Sequence, residues 1–164
     1  MAGRLAQRLH VPHIELDALH WKSNWEHRMD EELRQLVDVA TQASAWVVDG
    51  NYSVTRDIIW LRAQAVVWLD YPFWTVFWQL WWRIWRRWWT RELLWGNNRE
   101  SLLVHFKLWS DDSLIKWLFK TYRRRKVQYP LLFASPEYSH LKIIQLATPG
   151  EAEAWFNTIE AYGS

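Results

Sequence analysis

Cysteine is absent from all 164 residues, so neither a disulfide framework nor a thiolate metal site can form. No Gly/Ser-rich linker divides the chain, and half of its residues are apolar. A disordered chain is thereby excluded, and one domain with a sizeable core is expected. No charged-then-apolar leader opens the sequence. The stretch 72–90 is long enough to cross a bilayer but carries Arg83, Arg86 and Arg87. Each would cost about 2.5–3.5 kcal/mol at the bilayer centre. These absences suit a cytoplasmic protein without a transmembrane segment.

What is abundant is tryptophan, and positive charge in one place. The formal net charge is only +2, but residues 70–126 hold 12 Lys/Arg against 5 Asp/Glu. The flanks are mildly acidic, with 7 against 9 in residues 1–69 and 1 against 4 in residues 127–164. The basic middle calls for an anionic partner: nucleotide phosphate, nucleic acid or anionic lipid. Seven of the 16 tryptophans (Trp74, Trp78, Trp81, Trp82, Trp85, Trp88 and Trp89) lie in that same 72–90 stretch. Gln79, Arg83, Arg86/Arg87 and Thr90/Arg91 recur every three to four residues and make one polar stripe of an amphipathic helix. The tryptophans fill the remaining surface and are expected to pack against a sheet and between helices.

Short apolar runs near 12–16, 45–48, 65–69 and 141–146 read as strands, several of them continuous rather than alternating. Between them lie helical patterns at 3–9, 30–43 (with Asp30 as N-cap), 57–61, the Trp/Arg stretch, 101–109 and 112–133. Thr148-Pro149-Gly150-Glu151 opens a closing helix. Strands alternating with helices predict an α/β fold with a mostly parallel sheet covered on both faces. Ligands of such folds sit at the carboxyl ends of the strands. Asp17, Asp49 and Asp70 all fall there, and three acids at one sheet edge would suit a magnesium-phosphate site.

The residues His13-Ile14-Glu15-Leu16-Asp17-Ala18-Leu19-His20-Trp21, Trp46-Val47-Val48-Asp49-Gly50-Asn51-Tyr52-Ser53, Val66-Val67-Trp68-Leu69-Asp70-Tyr71-Pro72, Trp95-Gly96-Asn97-Asn98-Arg99-Glu100 and Arg123-Arg124-Arg125 occur in an order that spans nearly the whole chain. In this the sequence resembles the adenylate-kinase-like P-loop family, particularly its bacterial topology-modulation (FlaR-like) branch. The resemblance implies a single domain with a basic, lid-like helical segment at about 72–133, ATP and Mg²⁺ as cofactors, and a small-molecule or nucleotide acceptor. It places Asp49 at the metal shell and gives Arg83, Arg123, Arg124 and Arg125 the task of clamping phosphate, which the planar guanidinium does bidentately. Thr148 and Pro149 fall where adenine is contacted. Asp17, in a turn resembling that of small-metabolite kinases, would act as general base toward an acceptor hydroxyl. His20 in that turn reads as a packed or solvated loop residue.

Departures from the family pattern are as informative. Gln79 replaces an expected arginine, and Asn51-Tyr52-Ser53 replaces aromatic-Pro-Arg, which argues against AMP as the acceptor. No Gly-x-x-x-x-Gly-Lys-Ser/Thr run occurs, so the backbone cradle for ATP phosphates is not encoded in these residues. The resemblance implies that the chain starts just past that loop and lacks the strand before it, which is central in the family's sheet. The runs at 45–48 and 65–69 should then pair directly or leave a slot. An alternative reading makes the chain a non-catalytic binding protein, its Trp/Arg module engaging nucleic acid or an anionic membrane.

Overall fold

The computed structural model of the protein describes residues 1–90, 93–94, 98–99 and 114–159. The first helix, α1 (Ala2–Leu9), is closed by His10 in the left-handed region at φ 53°. There the N–H groups of His10 and Val11 return to the carbonyls of Gln7 and Ala6, satisfying the last turn. Strand β1 (His13–Glu15) leads directly into a short helix α2 (Leu16–His20). Helix α3 (Asp30–Ala40) has Asp30, Glu31 and Glu32 in its first turn, where the helix dipole favours negative charge. Met29, not Asp30, occupies the N-cap. Strand β2 (Val47–Asp49), helix α4 (Arg56–Arg62), strand β3 (Ala65–Leu69) and the long helix α5 (Phe73–Thr90) follow. Strands β4 (Leu93–Leu94) and β5 (Asn98–Arg99) form a small antiparallel ribbon. Helix α6 (Leu114–Phe133), strand β6 (Lys142–Leu146) and helix α7 (Pro149–Asn157) complete the described chain. The helix expected at 101–109 lies outside the described residues.

The chain is therefore α/β with parallel pairing, but its described strands do not form the continuous sheet that alternation predicts. Among the described residues β1 pairs only with β2, and β3 only with β6, both parallel. Ladder geometry shows which edges stay open. Val47 N–H donates to Pro12 O, so in a parallel strand the backbone groups of Val48 point away from β1. Lys142 N–H donates to Gln64 O and Asp70 N–H to Leu146 O, so those of Ala65, Val67 and Leu69 point away from β6.

The two pairs share one covering layer. Helix α1 packs on β2 and β1, and it also reaches α7. Arg4 donates two hydrogen bonds to Glu153 at 2.9 and 2.6 Å, and Arg8 donates to Phe156 O at 2.6 Å. Both guanidinium groups lie over the Phe156 ring, at 4.3 and 4.5 Å from its centroid. At their opening ends the pairs also share apolar contacts, since Trp46 and Val66 pack on the same cluster of Ala63, Tyr138 and Leu141.

Among the described residues the core falls into four clusters rather than one. Leu16, Leu33 and Val37 are fully buried together, with Val48, Tyr52, Val54, Ile58 and Ile59 around them. Tyr71, Leu146 and Ala152 hold β6 to α7. Leu80, Ile84 and Leu118 join α5 to α6, with Phe73 and Tyr122 in the same cluster. Leu118 thus lies level with Leu80 and Ile84 while Tyr122 lies level with Phe73, so the two helices run antiparallel.

Candidate functional site

Asp17 stands one residue inside α2, not at the end of a strand. β1 closes at Glu15, and Leu16 is swallowed by the core. The displacement matters for chemistry, because the Asp17 carboxylate turns to the Tyr52 phenol, which donates to it at 2.6 Å. Burial and the Asp17 charge together push the Tyr52 phenol well above its ordinary pKa. The His20 ring tilts against Tyr52 at 4.6 Å and stacks on His27 at 5.9 Å. His20 is therefore a packed residue. Burial, then His27, hold its pKa below the ordinary 6.5, against the opposing pull of Asp17 and Asp30.

Asp49 is exposed at the end of β2, with its Oδ2 4.0 Å from His13 Nε2. Asp70 instead fastens three elements. Its carboxylate accepts from Gln145 Nε2 of β6 at 2.9 Å and pairs with Lys126 Nζ of α6 at 3.1 Å. The three aspartates are thus committed to different neighbours. No three His, Cys, Asp or Glu side chains converge as a metal site among the described residues. A magnesium ion needs less than that, since it keeps several waters and binds through one or two carboxylates plus substrate phosphate. Of the three aspartates, Asp49 is the exposed one.

Cationic residues meet the loop after β2 at Tyr129. Burial depresses the pKa of the Arg125 guanidinium, and Arg124 and Arg56 lower it further, with Tyr129 opposing them. Burial raises the Tyr129 phenol, while Arg125, Arg56, Asn51 and Arg124 pull it back. Arg56 lies 5.3 Å from the Trp60 ring centroid and 6.0 Å from that of Tyr129, and its Nε is buried without a hydrogen-bond partner. Asn51, two residues past the end of β2, contacts the Tyr129 hydroxyl through its side-chain amide. Arg56 and Asn51 thus reach Tyr129 beside the carboxyl end of β2, with Arg125 and Arg124 near enough to act on its charge. Guanidinium groups are forked donors of the kind that bind phosphate oxygens bidentately.

Of the arginines expected to clamp phosphate, Arg124 and Arg125 belong to this cluster. Arg123 is exposed on the same helix. Arg83 is exposed on α5 at the level of Leu118, about 10 Å along the helix axis from Arg125. Thr148 and Pro149 stand past the end of β6, where their residue types serve the start of α7. Thr148 Oγ1 accepts from Glu151 N–H at 3.1 Å, Glu151 Oε2 accepts from Ala147 N–H at 2.8 Å, and Pro149 occupies the first helical turn. Arg56 and Tyr129 escaped the sequence reading. The four-residue spacing from Arg125 to Tyr129 puts both on one helix face and is the signal that was available. Nothing local singles out Arg56.

Compared with protein-family models, with curated proteins and with solved structures, the chain matches none of them.

Proposed function

We propose that these residues form the acceptor-binding and lid portion of a P-loop-kinase-like phosphotransferase. The observation that carries the proposal is the cluster of Arg56, Arg124 and Arg125 against Tyr129 and Asn51, beside the carboxyl end of β2. The cluster supplies the fixed positive charge that phosphoryl transfer needs. The resemblance implies a central strand between β2 and β3; one more parallel strand there would join the two observed pairs into one five-stranded sheet.

In that scheme ATP would supply the transferred phosphoryl group, and the Asp17 carboxylate would take the proton of the acceptor hydroxyl. Asp49 would stand in the Mg²⁺ shell, and the guanidinium groups would neutralise the transferred phosphate. The phosphate loop that holds ATP is not encoded in these 164 residues, so in this scheme it comes from sequence outside them.

Calorimetric titration tests the cluster and the loop separately. Pyrophosphate should bind the 164-residue chain, and Arg56→Gln or Arg125→Gln should weaken it about tenfold or more, as expected for losing a charge-assisted hydrogen bond. Mg-ATP should bind no tighter than about 100 μM, or roughly −5.5 kcal/mol. Unchanged pyrophosphate binding in both variants overturns the cluster. Tight Mg-ATP binding overturns the assignment of the phosphate loop to other sequence.

A further inference from the structure

Number and spacing predict that the tryptophans of α5 pack against a sheet, yet five of the seven are exposed. The helix buries Leu80 and Ile84 instead, while Trp74, Trp78, Trp82, Trp85 and Trp89 keep between 41 and 73% of their surface exposed. At 100° per residue these five positions fall within an arc of about 80°. They make a straight ridge about 22 Å long, turned well away from the buried face. Bordering it on one side run Gln79, Arg83 and Arg86, all exposed, and the helix contains no Asp or Glu. Five partly exposed aromatic rings on one helix form a larger contiguous apolar surface than scattered exposed residues would, and such surfaces mark docking sites.

From this arrangement we infer that α5 lies flat on an anionic phospholipid surface, its tryptophan ridge seated at the headgroup–acyl boundary. Indole suits that depth because its body is apolar while its N–H stays near polar headgroups. The arginine border then reaches lipid phosphates without entering the hydrocarbon. No described helix is long and apolar enough to cross the membrane, so the contact is peripheral. A second copy of the chain fits the ridge less well. A symmetric helix pair would bring two arginine borders together with no acid on either α5 to relieve them. Single-stranded nucleic acid also fits less well, because base stacking is served by a cationic groove and this ridge is convex with cations along one side only. The inference is independent of the phosphotransfer reading, since it uses none of Arg56, Arg124 or Arg125.

Flotation with phosphatidylcholine vesicles, with or without phosphatidylglycerol, tests it on the full 164-residue chain. The protein should float with the mixed vesicles, and high salt should weaken that binding. Trp78→Ser/Trp82→Ser/Trp89→Ser should reduce partitioning about tenfold or more, and Arg86→Glu should reduce it on the mixed vesicles only. These side chains are exposed, so circular dichroism melts of both variants should match the parent. Failure of the parent to float overturns the inference, as does a triple variant that floats equally well. Absence of flotation together with a Trp-dependent shift of a single-stranded oligonucleotide assigns the ridge to nucleic acid. Absence of flotation together with a Trp-dependent dimer in sedimentation assigns it to a second copy.

Discussion

The Tyr52 hydroxyl donates to Oδ1 of Asp17 at 2.6 Å across 35 residues of chain, tying the loop after β2 to the turn after β1. The bond holds the one carboxylate proposed as general base, and the Tyr52 ring also packs on the buried cluster of Leu16, Leu33 and Val37. Tyr52→Phe keeps the ring and deletes the donor. A hydrogen bond to a charged acceptor contributes about 1.5–3 kcal/mol, and the partly solvated Asp17 can recover some of that from water. The variant should lose about 1–2 kcal/mol in urea unfolding with an unchanged slope. A loss below about 0.5 kcal/mol, the scatter typical of neutral surface changes, would mean that the contact is incidental.

His20 should make stability depend on pH. Its folded pKa is held below the ordinary 6.5, first by burial and then by His27, and its Nδ1 is buried with no hydrogen-bond partner. Above pH 6.5 the ring is neutral in both folded and unfolded chains, so its contribution is fully present. As pH falls below 6.5 the unfolded chain takes up the proton first, and stability declines until the folded pKa is passed. Thermal midpoints should therefore drop between pH 7 and pH 5 with a component that His20→Gln removes. If the variant and the parent show the same slope, His20 titrates alike in both states.

Much of this architecture was legible because it rests on local rules. β3 was expected and observed at 65–69, and the Thr148-Pro149-Gly150-Glu151 signature marks the real start of α7. The first strand was harder to delimit, because Leu16 continues the apolar run of β1 while its side chain belongs to a helix core. A continuous apolar run cannot say whether its last residue stays extended. For α5 the period was read correctly, but which side of the helix would be buried was not. Trp and Leu look alike in a hydrophobic pattern, and only packing against Leu118 selects Leu80 and Ile84. The grouping of Arg56 with Arg125 was out of reach for a similar reason. It depends on how α6 crosses the loop after β2, which no local spacing encodes.

Gly50 should tolerate no side chain. Its φ of 122° lies outside what L-residues adopt at low energy, and an added Cβ would come within 2.8 Å of Leu16 Cβ. Leu16 is fully buried and has little room to yield. Backbone strain of about 1–3 kcal/mol and overpacking of similar size put Gly50→Ala at roughly 2–5 kcal/mol of destabilisation. Chemical denaturation measures this directly. A cost under about 1 kcal/mol would show that the turn after Asp49 takes another conformation in solution.

The open edges of β2 and β3 should govern the stability of the whole chain. A slot between them that stranded four or five buried backbone groups on each side would, at about 1–3 kcal/mol per group, exceed a typical stability of about 5–15 kcal/mol. The structure reduces that cost. β2 is only three residues long, and Ala65 and Leu69 at the ends of β3 are exposed. Strand edges left unpaired are templates for pairing with other molecules. The 164-residue chain should consequently unfold with low cooperativity and self-associate as its concentration rises. Adding one apolar strand and a glycine-rich turn ahead of Ala2 should fill the slot and pair both edges. Four to six new ladder bonds at about 0.5–1.5 kcal/mol each predict a gain of roughly 3–6 kcal/mol, with a steeper urea dependence because more surface is buried. Paired urea unfolding curves decide the matter. If the extended chain unfolds at the same midpoint and with the same slope, the edges of β2 and β3 do not receive a strand, and the P-loop-kinase reading loses the topological half of its support.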